Sequence, residues 1–147
     1  HCDWSSDVCS SDLSNLFALE LDNRAKAFNV RAYSLHPGSI AGTELGREAS
    51  LELFIKMGFV DEEGNMRPEV LASLKTIPQG AATTVWCATT PLLNNIGGVY
   101  CEDVEVALLA SDSRMSAGVK CYSLDEAEAK RLWKWTEETC GISFSII

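Results

Sequence analysis

Basic residues are scarce in this chain: 12 Lys and Arg stand against 21 Asp and Glu in 147 residues, for a net charge of −9. With no basic stripe there is no electrostatic grip on a phosphate backbone, which excludes nucleic acid and an anionic membrane as partners. Long apolar runs are also missing. None approaches the ~18–20 residues of a membrane span, and the start His1-Cys2-Asp3-Trp4-Ser5-Ser6-Asp7 has no basic region or apolar stretch of a signal peptide. A soluble, cytoplasmic chain is expected. The histidines are His1 and His36, and the six cysteines (Cys2, Cys9, Cys87, Cys101, Cys121, Cys140) contain no Cys-x-x-Cys pair. No metal site and no disulfide scaffold is therefore expected, and Cys87, Cys101 and Cys121 read as small apolar core residues in a reducing compartment. A nucleophile elbow is absent as well, because Gly38-Ser39-Ile40-Ala41-Gly42 places its serine one position early. Asp61-Glu62-Glu63-Gly64-Asn65 lacks the alternating ligands of a calcium loop and reads as a solvated turn.

The composition that is present, 46% hydrophobic and 22% charged, is that of a folded chain with a core, one domain or a piece of one. Residues 1–13 stand apart. HCDWSSDVCSSDL has two near-repeats of Ser-Ser-Asp and neither helical nor strand periodicity. Back-translated, Cys2 to Asp12 can spell the adapter of a common short-read sequencing platform. The segment is set aside as non-native, the alternative being a short polar terminus that frays in solvent.

From Ser14 the pattern is α/β. Ser14–Asn29 mixes Leu16, Phe17, Leu19 and Leu21 with Glu20, Asp22 and Arg24, which predicts an amphipathic helix cut short at its start. Val30–Leu35 predicts a short strand stopped by His36-Pro37-Gly38. A helix over Glu48–Met57 follows a glycine-containing polar loop. Thr76-Ile77-Pro78-Gln79 predicts a capping box for a helix through Ala88 that Pro91 ends. Val99–Cys101 predicts a strand, and Ser123–Glu126 a second capping box for a last helix running to about Thr139, closed by Gly141.

Chemistry is best placed on Val30–Leu45, a strand opening through Pro37-Gly38 into a small polar loop. In open α/β sheets ligands bind beyond the carboxyl ends of strands, and a glycine there lets the backbone approach them. A plain strand terminator would leave the same pattern. His36 reads as a packed or hydrogen-bonded residue.

Several stretches, in order and spacing, resemble the later half of the short-chain dehydrogenase/reductase family, within it the retinol-dehydrogenase-like and WW-domain-oxidoreductase-like branch. They are Asn15–Leu21, Val30–Gly38, Thr43–Arg47, Pro78–Trp86 and Gly97–Asp103. The resemblance spans nearly all of Ser14–Phe144. It implies the C-terminal part of a doubly wound, Rossmann-like parallel sheet with flanking helices, incomplete, so that 14–147 is half of one NAD(P)-binding domain. It also implies an oxidoreductase that moves hydride between NAD or NADP and a small alcohol or carbonyl substrate. By the same resemblance Pro37, Gly38, Ser39, Ile40 and Thr43 face the cofactor, although Ala41 or Gly42 is one residue more than the family usually has there.

Two departures matter. Aligning Leu16–Asp22 on the family puts Asp7 and Ser11 where its Tyr-x-x-x-Lys pair belongs, and no glycine-rich phosphate fingerprint occurs anywhere. The expectation is a fragment without catalytic residues, which binds the cofactor poorly and is inactive alone. A non-catalytic module that dimerises through the Ser14–Asn29 helix, or binds a partner, is the competing expectation. Substrate choice in the family falls to the stretch Thr43–Ser73, where Phe54, Met57 and Phe59 would suit an apolar substrate or simply pack under a loop. The ribose-reading residue that separates NAD from NADP belongs to the absent half.

Overall fold

The computed structural model describes residues 10–40, 48–110 and 117–146. The chain divides into two units, His1–His36 with Thr83–Ile147, and Pro37–Ala82. Among the described residues it carries five α-helices and a three-stranded mixed sheet, an α/β architecture that accords with an incomplete Rossmann-like fragment.

In the first unit, helix α1 (Ser10–Ala25) starts four residues before the expected Ser14. Nothing in that turn breaks a helix. Asp12 lies at its positive end, buried, and accepts from Ser123 Oγ at 2.6 Å. The helix buries Leu16, Ala18 and Ala25, together with two further acids, Glu20 and Asp22. It gives way to a 3₁₀ turn, Lys26–Phe28, which Asn29 ends in the left-handed region at φ 58°.

Strand β1 (Tyr33–His36) is shorter than predicted and shifted along the chain. The cause is Asp22, whose side chain is 4% exposed. Its carboxylate accepts from Arg31 Nε and Nη2, both at 2.9 Å, and from the Ala32 N–H at 3.1 Å. Residues 31 and 32 are thereby held to α1 before the ladder begins. β1 pairs in parallel with β2 (Val99–Glu102), Tyr33 opposite Val99 through His36 opposite Glu102. The pair Gly97-Gly98 lets β2 enter there: a Cβ on Gly97 would land on the Asp22 carboxylate, and Gly98 holds φ 67° beside Leu19.

A third strand, β3 (Glu105–Val106), pairs antiparallel with β2 and is absent from the sequence reading. Its two-residue turn puts Asp103 and Val104 at φ 50° and 66°. Such a turn ordinarily takes Asn and Gly, so Val104 gives no hairpin signal. Its N–H is held by Thr83 Oγ1 at 3.2 Å.

Helix α5 (Glu126–Cys140) packs on α1. Trp133 stacks on Phe17 with ring centroids 5.3 Å apart, and the Arg24 guanidinium lies 4.7 Å from the Trp133 ring centre. The cap of α5 is Asp125, which accepts from the Ala127 and Glu128 N–H groups. The predicted cap Ser123 is fully buried and serves Asp12 instead. Gly141 closes the helix at φ 66°, as its position predicts. Cys101 is buried and Cys87 half-buried, both as thiols. Cys121 corrects its assignment to the core: it is exposed, at the start of a surface 3₁₀ turn, and disulfide-bonded.

In the second unit, α2 (Leu51–Lys56), capped by Ser50, is shorter than the predicted Glu48–Met57. Asp61–Asn65 turns the chain as predicted, with Asp61 Oδ1 accepting from the Asn65 N–H at 2.7 Å between the bridged Val60 and Met66. Helix α3 (Pro68–Ser73) was not predicted, for six residues are too few to display a helical period. Thr76 and Gln79 exchange the bonds of a capping box at the head of α4 (Ile77–Thr89). Phe54 and Phe59 meet edge to face at 6.3 Å, which favours packing over substrate contact for this pair.

Asp22→Ala leaves the Arg31 guanidinium and the buried Ala32 N–H without their acceptor, and should lower unfolding free energy by about 3 kcal/mol. Gly97→Ala should cost about 2 kcal/mol by overpacking. Both substitutions break one contact, so urea unfolding of the double variant should lose clearly less than the sum of the single losses.

Candidate functional site

The chain passes from His36 directly into Pro37, and Pro37–Ile40 is held from within its own unit. The Lys75 N–H donates to the Ser39 carbonyl at 2.7 Å, and Ile40 and Lys75 form a parallel bridge. Gly38 sits at φ 82°, in the region that favours glycine. A Cβ there would stand 2.6–2.9 Å from Lys75 Cδ, Cε and Nζ. The space beside Gly38 is thus filled by a lysine side chain. On the other side of the loop, a Cβ on Gly80 would land on the Ile40 side chain, so the first turn of α4 closes on Ile40 only because residue 80 is glycine.

Of the five candidate residues, four are thereby gathered on one braced turn: Pro37, Gly38 and Ile40 half-buried, Ser39 exposed. The fifth, Thr43, lies outside the described residues, as does Asp7. Lys75 and Gly80 belong to the same turn and were not foreseen. The Thr76 capping box placed the start of α4, but nothing local at position 75 announces a partner at Ser39.

A tyrosine would serve proton chemistry only if its phenol ionised readily. Burial pushes Tyr33 upward and pushes Tyr100 up to about 12. Tyr33 Oη lies 3.1 Å from the Leu93 carbonyl and 3.0 Å from that of Ile96, to which it donates, and Tyr122 Oη donates to Asp12 at 3.4 Å. These phenols are structural. Among the described residues no group of three or more metal-ligating side chains converges, and no helix is long and apolar enough to cross a membrane.

In the first unit β1 is paired, among the described residues, on one side only. Two grooves of about 870 and 520 Å³ lie along it, both lined by Tyr33 and Leu35, the larger also by Phe17 and Leu21 of α1 and Trp135 of α5.

No protein-family model matches the chain. Curated proteins do. The chain is 38% identical over 117 residues to a probable oxidoreductase of Streptomyces lividans, covering 79% of this chain and 38% of that protein. It is 30% identical over 135 residues to retinol dehydrogenase 11 of mouse, covering 91% of this chain and 36% of that protein. It is 32% identical over 123 residues to the WW domain-containing oxidoreductase of Danio rerio, covering 83% and 24%. By sequence the chain belongs to the family of oxidoreductases that includes these proteins, the short-chain dehydrogenase/reductases. It is similar there to the retinol dehydrogenases and WW domain-containing oxidoreductases, and it spans little more than a third of the length of the Streptomyces and Penicillium oxidoreductases it resembles.

Burial also pushes the Cys101 thiol up. Groups whose protonated form is favoured by the fold stabilise it below their unfolded pKa values and stop doing so as pH rises through the folded ones. The thermal midpoint should therefore hold until about pH 9 and fall between about pH 9 and 12, the window set by the ordinary Cys and Tyr values and the raised Tyr100 value. Tyr100→Phe should flatten the upper part of that fall, followed by circular dichroism melts against pH.

Proposed function

We propose that this chain is the C-terminal part of an NAD(P)-dependent oxidoreductase that exchanges hydride with an alcohol or carbonyl substrate, and that the chain alone is inactive. The observation that carries the reading is the similarity to oxidoreductases over most of the chain but little more than a third of theirs. The one-sided β1 supports it. A helix that packs on the strand following it is the second half of a strand–helix–strand crossover, and such a crossover would set a further parallel strand on the open edge, beside the two grooves.

The braced turn fits the nicotinamide end of a dinucleotide: Pro37, Gly38, Ser39 and Ile40 would hold it, with Thr43 following. It fits on one side only, because Lys75 occupies the space at Gly38. The glycine-rich turn for the pyrophosphate is not in the sequence. The nicotinamide supplies the hydride chemistry when bound. The chain's own residues orient it through backbone groups and the exposed Ser39 hydroxyl. The proton-exchanging pair is absent from the sequence, in accord with inactivity. We assign 1–13 to a translated adapter and 14–147 to half of one domain. We also place the protein in the cytoplasm, with Cys87, Cys101 and Cys140 as thiols in favour and the disulfide at Cys121 against.

A second reading, a module that forms a homodimer through Ser14–Asn29, draws on Phe17 and Phe28, which are 45% and 53% exposed.

Resequencing the genomic locus across the codon for Ser14, with primers free of adapter, tests the first reading. The expected result is an in-frame Tyr-x-x-x-Lys preceded by a glycine-rich turn in place of His1–Leu13. The restored product should then consume NAD(P)H with an aldehyde, while the 147-residue chain does not. If HCDWSSDVCSSDL is encoded with a start codon close by, the enzyme reading of this chain fails and the dimerisation module takes its place.

A further inference from the structure

We infer that Lys75 is a residue of the dinucleotide site: its ammonium, seated on Gly38, is the cation that an anionic dinucleotide meets at the Pro37–Ile40 turn. The inference rests on the cofactor reading above and adds to it a residue outside the family stretches that pointed to the turn.

Gly38 has the left-handed φ and the missing Cβ of a position made for close approach, and the group that approaches is Lys75, through Cδ, Cε and Nζ. Its backbone is fixed at the same place by the bond to the Ser39 carbonyl and by the bridge to Ile40. The stem of the side chain therefore lies along the turn, and its charge cannot be far from any ligand that touches Gly38.

A dinucleotide carries two phosphate charges toward a chain of net charge −9, so binding needs a cation close to the contact surface. Of the other described basic residues in this unit, Lys56 ends α2 and Arg67 turns back toward the Val60 carbonyl at 3.4 Å. Of these three, Lys75 is the one that lies against the turn itself.

The backbone bond from Lys75 to Ser39 survives any change of side chain. Lys75→Met keeps the unbranched stem that fills the space at Gly38 and removes the charge, and Lys75→Arg keeps the charge. The test is an NMR titration of the ¹⁵N-labelled 147-residue chain with NADH, at low and at physiological salt, for wild type and both variants. Unchanged far-ultraviolet circular dichroism and melting of Lys75→Met serves as the check on folding.

The expected result is that NADH moves the Gly38 amide resonance in the wild type and that Lys75→Met weakens binding about tenfold, the usual worth of one charge-assisted contact. Lys75→Arg should stay near wild type, and Lys75→Met should lose much of the salt dependence. If Lys75→Met binds NADH like the wild type while Ser39→Ala weakens it, the inference falls and the cofactor turn stands. If NADH moves no amide resonance of Gly38–Ile40 or Lys75 in the wild type, the inference falls, and the cofactor reading is decided separately by whether the restored product consumes NAD(P)H.

Discussion

The first unit depends on one buried carboxylate. Asp22 projects from the last turns of α1 and accepts three hydrogen bonds, two from Arg31 and one from the Ala32 N–H. An uncompensated charge at that depth would be costly, and the bidentate guanidinium with the amide is what makes it tolerable. The same contact decides where the helix stops serving as helix, where β1 begins, and how close β2 can come, since Gly97 stands against the carboxylate and the Gly98 N–H donates to the Ala32 carbonyl at 2.8 Å. Helix, strand and neighbouring strand are set by a single side chain.

That dependence explains which parts of the fold were legible. Capping signals are local and held where they had no competitor: Thr76 with Gln79, and Gly141 at the end of α5. They failed where a distant group competed. Ser123 carries the sequence of a cap, but its hydroxyl is taken by Asp12, on another helix far away in the chain. Val30 to Ala32 have strand propensity, yet Asp22 takes the Arg31 side chain and the Ala32 N–H, and the paired residues begin at Tyr33. The β2–β3 hairpin bends through a valine at φ 66° secured by Thr83, and no propensity scale would place a turn there.

The candidate site divides in the same way. Pro37-Gly38 at the end of a strand is visible from the residues alone, and the family resemblance added Ser39, Ile40 and Thr43. What a sequence cannot display is the reason for each glycine. Gly38 was read as room for a ligand, whereas the space is filled by Lys75, and Gly80 makes room for Ile40. The turn is therefore braced from inside by residues just ahead of α4 and within its first turn.

Such a turn can orient a ligand, but orientation is only one component of hydride transfer. The reaction also needs a group that exchanges a proton with the substrate oxygen near neutral pH, and a buried tyrosine becomes a poorer candidate for this the more its surroundings lack a cation. Tyr100 is raised by burial first, then by Glu102 and Asp103, and Tyr33 by burial with only Arg31 opposing. In this chain, then, the forces that stabilise the tyrosines are those that disqualify them. The family places its proton-exchanging pair just ahead of Ser14, where this sequence has Asp7 and Ser11. Neither Tyr33 nor Tyr100, held up by burial, replaces that pair.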